Sequence, residues 1–342
     1  MAAILRLFVM ELSFFISWPK REMATTINHV EVKQMSIANS LNTDDFAIVI
    51  IPDTQKMAVN QLSFYKAMTS WIVDHAKEMN LKMILHLGDV VDHGANCEAE
   101  FQIAEEAFNT IYHADLPMLV AAGNHDYDNL IKEDRSLTLF NRYFGVHRYH
   151  TKPWFGGTFE AGQAENCFFK LEIAGRKFIF LSLEFGPRDQ VLAWADEILT
   201  SHSDHLAIMI THCYMYIYGE RTKTGDKHNP KSYPGAVEAN DGEDLWNKSL
   251  RKHGNLVAVF SGHHIYGNVS YRVDKGDNDN LVFQSFQNWQ GEENGGEGRF
   301  RILTFRPSTD EMTLQVMNPY TNEYETKDGY EIALHLDRGI KS

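Results

Sequence analysis

Short apolar runs recur along the chain, separated by stretches whose apolar residues fall at helical spacing. Five of these runs end alike. Phe46–Ile51 leads into Pro52-Asp53-Thr54-Gln55, and Met83–Leu87 into Gly88-Asp89-Val90-Val91-Asp92. Pro117–Ala122 leads into Gly123-Asn124-His125-Asp126, Leu206–Thr211 into His212, and Leu256–Ser261 into Gly262-His263-His264. Unbroken apolar runs of this length predict strands buried on both faces. Between the first two, Leu62, Tyr65, Met68, Trp71, Ile72, His75, Ala76 and Met79 predict one long helix over residues 59–79, giving a parallel βαβ unit. Phe101, Ala104, Phe108 and Ile111 predict a second helix. Residues 166–173 and 177–183 read as antiparallel strands joined by a turn at Ala174-Gly175-Arg176, after which Pro187 opens a helix carrying Val191, Leu192, Trp194, Ala195 and Ile198. Residues 244–252 predict another helix. Residues 281–286 and 299–317, with a turn at Pro307–Asp310, alternate like a β-hairpin region. Strands alternating with helices place the chain in the α/β class.

Three segments lack such periodicity. Residues 129–165 are aromatic and irregular, as in a packed insertion, whereas residues 219–242 are polar, a loop long enough to be functional or mobile and placed to cover a site. Residues 1–45 are expected to lie outside the folded domain, which spans 46–342. Met1–Trp18 is apolar apart from Arg6 and Glu11 and has the outline of a secretory signal, yet Glu11 interrupts it and no small-residue cleavage site follows. With that charge it makes a poor membrane span. An atypical signal or anchor and a disordered extension, with Met23 or Met35 as a start, both stay open. Location, cytoplasmic or secreted, depends on which holds.

With 342 residues, 44% of them hydrophobic and 12% aromatic, the chain can bury a large core without staples. A formal charge of −14 excludes a general affinity for nucleic acid or anionic membranes, so any phosphate recognition must be local. Cys97, Cys167 and Cys213 are too scattered for a disulfide framework or a zinc ribbon and read as buried or incidental thiols. No internal repeat, low-complexity segment, Walker loop or serine nucleophile elbow occurs.

Each polar strand end, taken alone, is ordinary turn or helix-capping chemistry. Together they place carboxylate, amide and imidazole groups at the C-terminal ends of strands, where α/β sheets bind ligands. That donor mixture suits Mn²⁺, Fe or Zn²⁺, with Asp89 a natural bridge between two cations about 3.5–4 Å apart.

Asp53-x-Gln55, Gly88-Asp89-x-x-Asp92, Gly123-Asn124-His125-Asp126, Thr211-His212 and Gly262-His263, in that order, resemble the five motifs of the calcineurin-like metallophosphoesterases. The resemblance runs from about Phe46 to Phe305. It implies a four-layer α/β/β/α sandwich of two mixed sheets flanked by helices, with a dinuclear site between the sheets. It also implies two divalent metal ions (Mn, Fe or Zn): Asp53, Gln55 and Asp89 on one, and Asp89, Asn124, His212 and His263 on the other. His125 would be the general acid or phosphate clamp, oriented by Asp126. The implied activity is hydrolysis of a phosphomonoester or phosphodiester by a metal-bound hydroxide, and net acidity favours a small or exposed substrate over long nucleic acid. The alternative is a non-catalytic binding or scaffold protein with incomplete metal loading.

Two departures bear on this. Gln55 stands where many members have His, and Ile265 stands where the family's Gly-His-x-His places a second histidine. The first metal is therefore expected to bind more weakly, unless a backbone bend brings in His264 or an amide arrives from Asn288 or Gln290. Of the remaining candidates, His93 reads either as cleft-lining or as surface, Cys213 as an inert buried thiol, and Trp289 as core or site-lining.

Overall fold

The computed structural model describes residues 44–129, 134–265 and 267–335. The N-terminal stretch with its two readings lies outside the described residues. Strands β1 (Phe46–Ile51), β2 (Leu81–His86) and β3 (Met118–Val120) run parallel, linked by helices α1 (Gln55–Asn60), α2 (Leu62–His75) and α3 (Glu98–His113). The single long helix expected over 59–79 is therefore corrected. Helix begins at Gln55, directly after the strand-end loop, and breaks at Gln61 (φ −125°, ψ 41°). The Gln61 carbonyl accepts the N–H groups of Phe64 and Tyr65, so the chain turns within one residue and restarts. The turn lets α1 stay beside the strand end while α2 lays Tyr65, Met68, Trp71 and Ile72 into the core.

After α4 (Thr138–Phe144) comes β4 (Phe155–Thr158), so the expected insertion contributes an edge strand, and its Tyr149 and Trp154 rings pack 5.0 and 4.5 Å from Phe169. Strands β5 (Cys167–Ile173) and β6 (Arg176–Leu183) form the expected hairpin. Its turn takes positive φ at Ala174 and Gly175 (50° and 71°), the twist that antiparallel strands favour. Next come α5 (Asp189–Ser201), β7 (Leu206–Thr211), α6 (Gly242–Lys248) and β8 (Leu256–Ser261). Helix α6 starts earlier than the sequence suggests, because Asp241 caps it and forms a capping box with Asp244.

The last third differs most from expectation. Strand β9 (Val269–Lys275) was not anticipated, and β10 (Leu281–Gln287) makes no hairpin with the strand after it. It pairs parallel with β8 and antiparallel with β9. Strands β11 (Phe300–Arg306) and β12 (Glu311–Asn318) form the expected hairpin, which returns to the first sheet beside β1, with β13 (Glu323–Glu325) and β14 (Ile332–His335) on the far edge of β12.

Two mixed sheets result, ordered β13-β12-β11-β1-β2-β3 (β14 also on β12) and β4-β5-β6-β7-β8-β10-β9. Phe46 and Phe305 of the first meet Phe178 of the second at 5.5 and 5.7 Å between ring centroids, sealing the inner faces. On the outer face of the first sheet α2 and α3 meet through Tyr65 and Phe108 (5.3 Å). Period-two alternation turns Ile179, Leu181 and Leu183 of β6 outward, against Val191, Leu192, Ala195 and Leu199 of α5 and Leu245 and Trp246 of α6. The layers are helix, sheet, sheet, helix, as the sequence resemblance implies. No helix among the described residues is long and apolar enough to cross a membrane.

Candidate metal centre

The strand ends meet because their backbones approach within van der Waals distance. A Cβ on Gly123 would lie 2.2 Å from Asp89 Oδ1, and one on Gly262 would lie 2.1 Å from Asp53 Oδ1. Only glycine fits beside either carboxylate. Asp89 and His263 themselves take left-handed backbone angles (φ 51° and 79°), which cost non-glycine residues on the order of 1–3 kcal/mol and persist only where the surroundings impose them. At Asp89 the restraint is visible: Asp126 Oδ1 accepts the N–H groups of Val90 and Val91 at 2.9 and 3.2 Å, and its Oδ2 accepts that of Gly123 at 2.8 Å. His86, read only as part of an apolar run, adds a further tie: its Nδ1 accepts the Gly88 N–H at 3.1 Å and its Nε2 meets Thr54 Oγ1 at 3.0 Å.

Four of the sequence-derived ligand candidates form one buried cluster. Asp89 Oδ2 lies 3.1 Å from His212 Nε2, which lies 3.2 Å from His263 Nδ1, and the His263 N–H reaches both oxygens of Asp53 at 3.1 and 3.2 Å. Donors about 2.0–2.2 Å from a shared cation stand about 3.0–3.5 Å apart, so the first two separations are those of neighbouring ligands. His212 Nδ1 donates to the Leu87 carbonyl at 2.8 Å, so Nε2 is the nitrogen that faces Asp89 and would be the one to bind a cation.

Two amides complete the donor set. Gln55 gives its Nε2 to Asp92 Oδ1 at 2.7 Å, and its Oε1 is buried without a partner; Asn124 Oδ1 is likewise buried and unpartnered. Buried carbonyl oxygens are rarely left unsatisfied. The Thr54 N–H donates to the Asp89 carbonyl at 3.1 Å and the His125 N–H to Asp89 Oδ1 at 3.0 Å, so each amide is one residue from a group bonded to Asp89, and with the carboxylates and imidazoles they are donors of the kinds that fit a dinuclear centre.

His125 departs from expectation in its support. Its Nδ1 donates to the main-chain carbonyl of Asp92 at 2.6 Å and its N–H reaches Asp89 Oδ1 at 3.0 Å. Asp126, expected to orient the ring, bonds backbone N–H groups instead, and the orienting contact belongs to Asp92. The Asp92 carboxylate also pairs with Lys56 at 2.8 Å. His93 is outside the cluster, bonded through Nδ1 to Glu100 Oε1 at 2.6 Å.

At the position of the missing histidine, Ile265 is 43% exposed and no donor. Asn288 Nδ2 and Gln290 Nε2 instead reach Asp53 Oδ2 at 2.8 and 3.1 Å. Strand β10 parallels β8, so its end arrives at the same cleft, a fact hidden by reading it as hairpin. His264 faces elsewhere, 3.6 Å from Cys213 Sγ. Trp289 is core: its indole N–H donates to Tyr330 at 2.8 Å.

Burial of so many charged groups shapes their ionisation. Burial pushes Asp53 up to about 7, with His212 opposing and Asp89 adding to the rise. Burial would raise Asp89 too, but the His212, His125 and His263 rings hold it below the ordinary carboxylate range. His212 is pushed up to about 9, because Asp89 and Asp53 outweigh the burial that would lower it. Crowded acids of this kind are a demand for positive charge, and bound cations would bring Asp53 and His212 down and hold Asp89 lower still.

The loop over residues 219–242 does reach the site. The His228 carbonyl accepts from His263 Nε2 at 2.9 Å, and Tyr233 and Phe185 stand 6.3 and 5.2 Å from the His263 ring. A backbone carbonyl has no residue signature, so this contact could not be read in advance.

These strand ends, in this order between two mixed sheets, are the pattern of a family of metal-dependent phosphoesterases. The chain belongs to the calcineurin-like phosphoesterase family, matched over residues 46–287. Over 312 residues it is 28% identical to the uncharacterized protein YvnB of Bacillus subtilis, covering 87% of this chain and 22% of that protein, so it spans about a fifth of that relative's length. In fold it is similar to a dimetal phosphatase from Danio rerio, with a TM-score of 0.54 and 10% identity, covering 85% of this chain and 99% of that one.

Proposed function

We propose that the chain hydrolyses a phosphomonoester or phosphodiester in a cleft that takes two divalent cations. The observation that carries this reading is the convergence of Asp53, Asp89, His212 and His263 at the strand ends; Gln55 and Asn124, each one residue from a group bonded to Asp89, have amide oxygens buried without a partner. Asp53, Gln55 and Asp89 would hold one cation, and Asp89, Asn124, His212 and His263 the other. Mn²⁺, Fe and Zn²⁺ all suit such donors. Bound there, the pair supplies polarisation of the phosphoryl oxygens and a water acidic enough to attack near neutral pH.

The protein's own groups do the rest. His125, tethered through Nδ1 to the Asp92 carbonyl, keeps Nε2 free to donate a proton to the leaving oxygen. Asp126 clamps the backbone that carries Asp89 and His125. Tyr233 stands 6.3 Å from the His263 ring on the loop side, where it would contact a bound substrate. The net charge of −14 supports a small or exposed phosphoester over long nucleic acid. The test is metal content together with turnover of aryl phosphate mono- and diesters by the Mn²⁺-supplied protein. Fewer than about half a metal per chain with no turnover of either would support a scaffold that keeps the fold without the chemistry.

A further inference from the structure

His263 stands in two clusters. One is Asp89, His212 and His263; the other is Cys213, His263 and His264, and in each the ligand atoms lie within 4.8 Å of one another and all three residues are buried. Both clusters come from the ends of β7 and β8, where His212 is followed by Cys213 and His263 by His264. The chain turns sharply there: His263 takes a φ of 79° and the His264 N–H donates to the Gly262 carbonyl at 3.1 Å, which sets His264 beside Cys213 and leaves His263 at the seam between the two clusters.

We propose that Cys213, His263 and His264 form a separate site for a soft divalent cation, Zn²⁺ or Cd²⁺, and that its occupation withdraws His263 from the hydrolytic pair. A tetrahedral Zn²⁺ with Zn–S of about 2.3 Å and Zn–N of about 2.0–2.1 Å holds S and N about 3.6 Å apart. Cys213 Sγ and His264 Nε2 stand 3.6 Å apart. One thiolate with two imidazoles, leaving a fourth position for water, selects soft cations, whereas the carboxylate and amide donors of the neighbouring cluster suit Mn²⁺. Binding releases the thiol proton to solvent. A neutral imidazole has one lone-pair nitrogen, so His263 serves one cation at a time. The displacement of histidine from the family's usual position to His264 thus builds an inhibitory site from the residue that the hydrolytic site lacks.

The inhibitory half of this inference rests on the phosphoesterase reading; the site itself does not. Cd²⁺ is titrated into the Mn²⁺-loaded full chain while thiolate-to-Cd²⁺ charge-transfer absorption, released Mn²⁺ and aryl phosphate turnover are monitored. One Cd²⁺ per chain should raise the absorption, release Mn²⁺ and stop turnover. Cys213→Ser should abolish the absorption and raise the half-inhibiting Cd²⁺ on the order of 10–100-fold, while Cys97→Ser should change neither. His264→Asn, which spares the buried thiol, should weaken Cd²⁺ in the same way and covers the case in which Cys213→Ser fails to fold. Equal absorption and inhibition in the unmodified chain, Cys213→Ser and His264→Asn would overturn the site. Absorption without any turnover from the outset would leave the site standing and sink the phosphoesterase reading; Mn²⁺-dependent turnover with no thiolate absorption would do the reverse.

Discussion

Gln55 Nε2 donates to Asp92 Oδ1 at 2.7 Å, and the other end of the same amide is left buried with no partner. The amide is thereby oriented: at a neutral residue where many of the family have histidine, an acid takes the nitrogen and the oxygen is left for another partner. Asp92 acts twice more, through Lys56 and through the carbonyl that holds His125.

Removing that carboxylate charge should loosen the amide without deleting a donor. Asp92→Asn is expected to weaken metal affinity by about 10–100-fold, whereas Asp89→Asn should leave the purified protein without metal and without turnover. Metal content by mass spectrometry after dialysis, measured for both, checks the order. If Asp92→Asn proves the harsher change, Asp89 is not the residue shared by the two cations.

For His125 the geometry separates two roles, because ring orientation comes from a main-chain carbonyl and survives most side-chain changes nearby. His125→Asn should reduce turnover on the order of 10²–10⁴-fold with metal content nearly intact, and the loss should shrink for esters with good leaving groups. An equal loss for alkyl and aryl esters would restrict His125 to holding phosphate. Asp126→Asn is expected to act differently: it weakens bonds to three backbone N–H groups, so lowered thermal stability should accompany any lost activity.

The glycines beside the carboxylates give a prediction about close approach. A Cβ on Gly123 would meet Asp89 Oδ1 at 2.2 Å and the Asp89 backbone nitrogen at 2.3 Å, so Gly123→Ala must push the carboxylate or its backbone aside. Metal binding should fail before the fold does. Circular dichroism unchanged from the parent, together with lost metal, is the expected pair of readings; retained full metal content would show that the strand ends can separate without consequence.

The parallel strands were legible because burial on both faces makes them unbroken apolar runs, which is why Phe46–Ile51, Leu206–Thr211 and Leu256–Ser261 begin and end where the pattern places them. Edge strands were not. Val269–Lys275 is only partly buried and alternates Val269, Tyr271, Val273 with Ser270, Arg272, Asp274; the period was present, but no apolar run announced it. The site divides in the same way. Side chains that recur as motifs could be named in advance, whereas the contacts that orient them come from carbonyls of Leu87, Asp92 and His228, groups every residue possesses. Asn288 and Gln290 sit between these cases: their chemistry was visible, but their route to the cleft depended on β10 joining β8 in parallel.

That route decides the last prediction. With exposed Ile265 in place of an imidazole, the cation on Asp53 would depend on groups that also reach this carboxylate, and those are the amides of Asn288 and Gln290, at 2.8 and 3.1 Å from Oδ2. Gln290 can turn its amide oxygen toward a cation and exchange a hydrogen bond for a ligand bond, whereas Asn288 would have to give up the Gln290 N–H that its Oδ1 accepts at 2.9 Å. An amide remains a weaker donor than imidazole for borderline metals. Titration of the metal-free protein with Mn²⁺ should therefore resolve one tight and one weaker site, with turnover tracking the weaker. Gln290→Ala and Asn288→Ala should weaken that second step further, and Ile265→His should tighten it by adding the donor that the position lacks. Two equally tight steps in the unmodified protein, unaltered by both alanine changes, would mean that the Asp53 cation takes its remaining ligands from elsewhere.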